Sequence, residues 1–366
     1  RQIRRYLKDD GILVQWVHLY EINIDLVSSI FKALGGTFAD YRVFNASPGD
    51  VIVIATVKGK LPEMRPDVFG FKDVAADLSA LGFHGLEDFK LAGLGSRRAL
   101  EPLFLASAYP ANSDFFPVLD LNAARSRFMR ESSVDLQDLR KSFTPFIEAM
   151  DGDERVAGAA LRERPGVVQP GKRAVEHARD ALAIWLRDDA PDGVLTPQLA
   201  LQHRLARQAL SNCRLMSPAW VDIVEDVMRM TAPFLAEGDM RAFVERLSSS
   251  KCVAALGERE RMRLRYFAAT ALRDYASVAQ VTEAMLASRE RWPEADAAEY
   301  VRAGATARLA LGKPDEARGF WMRHRLRVVG TERLLITRLV AAHLPGARPE
   351  AAPIEPEPSP IPQTPR

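Results

Sequence analysis

The chain has only two cysteines in 366 residues, Cys213 and Cys252. They are far apart and in no CxxC arrangement, so the spacing indicates neither a disulfide framework nor a zinc site, and a reducing compartment is the default expectation. Histidine is nearly as sparse. The six residues are scattered without HExxH or HxxxH spacing, so no metal ligand set is expected. No apolar run approaches the roughly 20 residues needed to span a bilayer, so no membrane span is expected in this chain. Charge of one sign is lacking too: 50 basic residues face 48 acidic ones, for a net charge of +2. That balance, with no exposed-aromatic platform set between basic residues, argues against nucleic acid as a partner. The basic runs Arg1 to Lys8, Arg259 to Arg265 and Arg323 to Arg327 fall in helical patterns and read as solvated faces.

What is present is an ordinary globular composition, 47% hydrophobic and 27% charged, in a length that suits two or three domains. The opening reads helix, strand, helix, strand, turn, strand. A short basic helix leads to the run Ile12 to Val17, and a periodic stretch from Leu26 to Leu34 leads to Tyr41-Arg42-Val43-Phe44. Pro48-Gly49-Asp50 then marks a tight turn before Val51 to Ala55, so the last two strands are expected as an antiparallel pair. The strands are nearly continuous apolar runs, the pattern of a sheet covered on both faces. Three strands and two helices cannot supply both covers, which points to an incomplete sheet with further strands before residue 1.

Residues 59 to about 128 mix short helical patterns (Val74 to Leu81, Leu86 to Leu91, Arg97 to Ala106) with loops. From about residue 133 helix follows helix. Thr196-Pro197 and Ser217-Pro218 are N-cap and proline starts, and Trp220, Val224, Val227 and Thr231 form an apolar stripe. Val175, Ala178, Leu182 and Trp185 form another. Turns at Gly238-Asp239-Met240, Arg273-Asp274-Tyr275 and Gly312-Lys313-Pro314 recur at about 35 and 39 residues, near the 34-residue period of tetratricopeptide arrays. The alternative is an irregular bundle with coincident turns. After Pro345 the proline density predicts a disordered tail, residues 345–366.

Three stretches carry a family resemblance. Tyr6 to Tyr20 (YLKDDGILVQWVHLY), Ser47 to Ile54 (SPGDVIVI), and Asn112-Ser113-Asp114 with Pro117 to Leu121 (PVLDL) together resemble the C-terminal part of the spermidine synthase family. They are most similar to its bacterial, membrane-fused branch, where the last stretch reads Asn-Thr-Asp-Asp-x-Pro-x-Leu-Glu. Phe115 and Asp120 depart from that ending. The resemblance implies a Rossmann-like doubly wound sheet and a polyamine aminopropyltransferase ancestry. The parent would be anchored in the inner membrane with this part on the cytoplasmic side.

The family's glycine loop for the decarboxylated S-adenosylmethionine co-substrate and its Asp-rich catalytic strand have no counterpart here. Gly93-Leu94-Gly95 lacks both a preceding strand and a third glycine. No catalytic residue and no bound cofactor are therefore expected in this chain, which alone should be inactive. By analogy Gln15 and Tyr20 would face the amine pocket with Glu21 and Trp16 beside them, although Trp16 is expected first of all to pack the sheet against its helices. Asp114 and Asp120 read as turn and strand-end residues.

The expected organisation is thus an α/β fragment, the C-terminal part of a synthase-like domain, over residues 1–128. An all-α, tetratricopeptide-like repeat region follows over 129–344, then the tail. Two functions compete: a fragment of an aminopropyltransferase of polyamine biosynthesis, and a non-catalytic scaffold whose repeat groove, between residues 170 and 330, holds a protein or peptide.

Overall fold

The computed structural model describes residues 2–81, 83–137, 143, 146–151, 170–187, 195–232 and 237–343. The proline-rich tail expected over 345–366 lies outside the described residues. The chain opens with α1 (Gln2–Tyr6), β1 (Ile12–His18), α2 (Ile24–Gly35), β2 (Asp40–Ser47) and β3 (Asp50–Thr56), in the order read from sequence. Asn23 starts α2 by accepting the Asp25 and Leu26 N–H groups on its side chain. Ile24, Val27, Phe31 and Leu34 keep three-to-four spacing on that helix and are buried, and Phe31 stacks on Phe104 at 4.2 Å.

Between β2 and β3 the turn Ser47-Pro48-Gly49-Asp50 carries Gly49 at φ +86°, a conformation that favours glycine. The Tyr20 ring also lies 3.2 Å from where a Cβ on Gly49 would sit. The resulting hairpin pairs Val43 with Val53 and Tyr41 with Ala55.

The sheet has the order β1-β3-β2-β4, and β4 is Gly93–Ser96. All hydrogen-bonded neighbours are antiparallel. β1 and β2 therefore run parallel to each other, joined by the α2 crossover, with β3 between them. A doubly wound parallel sheet is not what these residues form by themselves. Gly93 to Ser96 escaped the sequence reading because it is short and half glycine. Tight packing explains the composition: a Cβ on Gly95 would sit 2.8 Å from Ile147 Cγ2.

One face of the sheet (Val17, Tyr41, Val43, Val51, Val53, Ala55, Leu94) is buried against α2 and α5 (Arg97–Leu105). The other face is apolar as well, but open at β1, where Val14 is 63% and Trp16 53% exposed. Trp16 thus does not pack the sheet against its helices. The alternation of side chains sends it to the uncovered face. The next elements are α3 (Lys72–Ala80), α4 (Leu86–Ala92) and α6 (Val118–Phe128). Asp120 lies in the first turn of α6 and not at a strand end. Asn112 Oδ1 accepts the Leu119 N–H there.

Helices make up the rest of the described chain: α7 (Phe146–Asp151), α8 (Pro170–Arg187), α9 (Pro197–Gln208), α10 (Pro218–Thr231), α11 (Glu237–Ser248), α12 (Lys251–Ala254), α13 (Glu258–Ala271), α14 (Tyr275–Ala287), α15 (Glu294–Ala310), α16 (Pro314–His324) and α17 (Gly330–Ala342). The stripe Trp220, Val224, Val227 and Thr231 is buried, as are Ala178, Leu182 and Trp185. Thr196 caps α9 as expected, whereas Ser217 precedes α10 without a side-chain cap bond.

Two of the three repeat turns share one geometry. Arg273 ends α13 at φ +58° and Gly312 follows α15 at φ +70°, each reversing the chain into the next helix. The third differs, because Gly238 lies within α11. The α13–α14 and α15–α16 hairpins stack through α14 and α15. The opening sheet and the helices share one core: α7 packs on β4 and α5, and α17 on α5. Arg338 of α17 donates to Asp25 of α2 at 2.5 Å. Burial lowers the pKa of the nearby Lys32, and the Arg338 charge adds to that while Asp25 opposes it.

The cysteine expectation is corrected. Cys213 and Cys252 are joined by a disulfide, with their Cα atoms 4.8 Å apart. Sequence spacing gave no sign of this, because α10 and α11 fill the 39-residue separation and return the chain to its start.

Candidate functional site

β1 ends at His18, and the chain then turns through Tyr20 and Glu21, with Glu21 at φ +56°. On the open face Trp16 and His18 ring centroids lie 5.6 Å apart, and His18 and Tyr20 4.9 Å apart. These three rings form a ladder along one side of the strand end. Glu21 pairs with Arg127 of α6 at 3.1 Å. Across from His18, Asp50 accepts from Ser47 Oγ at 2.5 Å through Oδ2. Its Oδ1 is buried without a hydrogen-bond partner among the described residues.

The four residues singled out from sequence are therefore divided. Trp16 and Tyr20 belong to the ladder and Glu21 borders it. Gln15 points to the opposite face of β1, is exposed, and donates its side-chain amide to the Trp16 carbonyl at 2.8 Å. His18 and Asp50 were missed. The β1 alternation could have flagged His18, since it shares parity with Trp16, but the pairing of Asp50 with His18 is tertiary.

The segment from Glu131 to Gln137 closes this end of the sheet. Ser133 N–H donates to the Leu19 carbonyl at 2.7 Å, and the Ser133 hydroxyl to the Ile22 carbonyl at 2.8 Å. Gln137 accepts from the Gly49 N–H and donates to the Ser47 and Asp50 carbonyls. Glu131 accepts from Ser126 Oγ and Asn23 Nδ2, and these bonds hold its carboxyl below the usual carboxylate range.

A concavity lies in the helical half, between α14, α15 and α16. It is an open groove of about 500 Å³ lined by Ala279, Gln280, Glu283, Ala284, Ala287, Arg308 and Glu316. Arg308 is mostly buried in its wall, stacked 4.0 Å over the Phe320 ring and bonded to Glu283 at 2.7 Å. Burial lowers the Arg308 pKa, and the Glu283 charge opposes that. Deeper in the array Glu299 receives Arg229 at 2.6 Å and the Tyr266 hydroxyl at 2.9 Å. Glu225 meets Arg263 at 2.7 Å, and burial pushes its carboxyl up to about 7 against the pull of that guanidinium.

No cluster of three metal-ligating side chains occurs among the described residues. No helix among them is long and apolar enough to cross a membrane. No protein-family model matches the chain, and no curated protein or solved structure does.

Proposed function

We propose that the opening α/β piece is the C-terminal part of a spermidine synthase-like aminopropyltransferase domain, and that β1 is an interior strand of the complete, Rossmann-like sheet. The observation that carries this reading is the outer edge of β1. It has no strand partner among the described residues, and it exposes Ile12, Val14 and Trp16 on one face. Natural edge strands are blunted by lysine, proline or bulges, and ILVQWVH has none of these. In this reading the decarboxylated S-adenosylmethionine co-substrate binds beyond that edge, and the polyamine lies against the ring ladder. Aromatic faces and carboxylates such as Glu21 and Asp50 suit a cationic amine. Gln15 then faces away from the amine. The carboxylate base that deprotonates the amine belongs to the part that holds the donor, so this chain alone does not turn over.

The test compares this chain with a polypeptide extended through the upstream reading frame. Calorimetry and an aminopropyl-transfer assay should show donor binding and product for the extended protein only. Stoichiometric donor binding by residues 1–366, or none by the extended protein, overturns the reading.

The groove between α14 and α16 favours a second, compatible reading, a tetratricopeptide-like scaffold that docks a peptide. Its wall offers small alanines and a fixed Arg308–Glu283 pair, which suits an extended backbone with one anchoring charge. The family resemblance would put the parent at the inner membrane with this part on the cytoplasmic side. The Cys213–Cys252 disulfide argues instead for an oxidising compartment around the helical half.

A further inference from the structure

We infer that the C-terminal end of α6 is a docking surface for an anionic lipid bilayer, independently of the aminopropyltransferase reading. At that end the chain exposes Phe128 (85%) and Met129 (59%), and Leu121 (74%) is exposed nearer the start of the helix. Leu121 and Phe128 lie seven residues apart, two turns along the outward stripe of α6, while Val118, Leu119 and Ser126 face inward toward α2.

Arg125, Arg127 and Arg130 are interleaved with these side chains and are all exposed. Arg127 holds Glu21 at 3.1 Å with its own side chain three-quarters exposed. Glu21 and Glu131 also lie at this end, Glu21 paired with Arg127 and Glu131 bonded to Ser126 and Asn23, which leaves Arg125 and Arg130 without an ion pair among the described residues. Asp114 and Asp120 sit at the opposite end of the helix. The distal tip is therefore basic as well as apolar.

The tip is held rigidly. Arg130 adopts φ +53°, a left-handed conformation that costs a side-chain-bearing residue about 1 kcal/mol. It is retained because Glu131 N–H reaches the Ser126 carbonyl at 3.0 Å, and the Glu131 carboxylate is bonded to Ser126 Oγ and Asn23 Nδ2. Phe128 and Met129 form an exposed apolar knob flanked in sequence by Arg125, Arg127 and Arg130. It suits a soft apolar layer beneath anionic headgroups, where rings enter the acyl boundary and guanidiniums meet phosphates.

The test is co-sedimentation of residues 1–366 with vesicles of phosphatidylcholine alone and of phosphatidylcholine with one-quarter phosphatidylglycerol, at low ionic strength. Binding is expected to the anionic vesicles, weakened about 10-fold or more by F128S. R125Q and R130Q should each weaken it about 5-fold. All three side chains are exposed, so thermal unfolding should be unchanged and a lost signal is not a folding defect. Equal binding to both vesicle types, or variants that bind as well as the parent, overturns the proposal. So does a concentration-dependent dimer in sedimentation velocity that F128S abolishes, because the knob then docks on a second copy of the chain.

Discussion

Gly304, in the middle of α15, provides a test of the helical packing with an unusual sign. Replacing a mid-helix glycine by alanine normally stabilises by about 1 kcal/mol, because glycine loses more backbone freedom on folding. Here a Cβ would sit 2.4 Å from Phe320 Cζ, 2.6 Å from Phe320 Cε1 and 2.7 Å from Thr282 Oγ1. Carbon contacts are optimal at about 3.5 to 4.0 Å, so the ring would have to move by about 1 Å. Phe320 is fully buried, Thr282 is bonded to the Val278 carbonyl at 2.7 Å, and Arg308 lies on the Phe320 ring. Overpacking of this kind costs about 1 to 3 kcal/mol, which cancels or exceeds the helical gain.

Gly319 in α16 is the internal control. A Cβ there meets only Arg323 Nη1, at 3.7 Å. Urea unfolding followed by circular dichroism should show G304A less stable than the parent by up to about 2 kcal/mol, and G319A more stable by about 0.5 to 1 kcal/mol. If both alanines stabilise equally, α14, α15 and α16 do not meet as closely as described, and the groove they frame loses its geometry.

Three further outcomes are expected. Protein purified without reductant should show no free thiol by Ellman titration. C252S, which opens a loop of about 40 residues, should lower stability by about 4 kcal/mol on the loop-entropy relation, read as an earlier urea midpoint. Asp274 caps α14 by accepting the Ser277 hydroxyl and N–H, and these bonds hold its carboxyl below the ordinary value of 3.8. Its contribution is therefore complete above about pH 4 and lost as pH falls through the lowered value, so D274A should cost about 1 kcal/mol at pH 7 and progressively less in acid.

Local chemistry made much of the fold legible. The Pro48-Gly49 turn, the α2 stripe and the α10 stripe each depend on residues within a few positions of one another, and each formed where the pattern placed it. The β1 periodicity alone could not tell an interior strand from an exposed one. Its nearly continuous apolar run suggested covers on both faces, and Trp16 proved half exposed among the described residues. The candidate site was half legible for the same reason. Strand parity groups Trp16, His18 and Tyr20 and separates Gln15, but Asp50, Arg127 and Gln137 arrive from 30 to more than 100 positions away.

By itself the sequence determined the order of the opening elements from α1 to β3, the turn at Pro48-Gly49, and the apolar stripes of α2 and α10. Those properties follow from backbone sterics and side-chain period, which act over one or two turns. Only the tertiary structure decided that Cys213 meets Cys252, that Asp25 meets Arg338, and that Gly95 and Gly304 sit where neighbouring elements leave no room for a methyl. Such pairings depend on how whole helices pack, and packing density, not local propensity, sets the distances between residues remote in the chain.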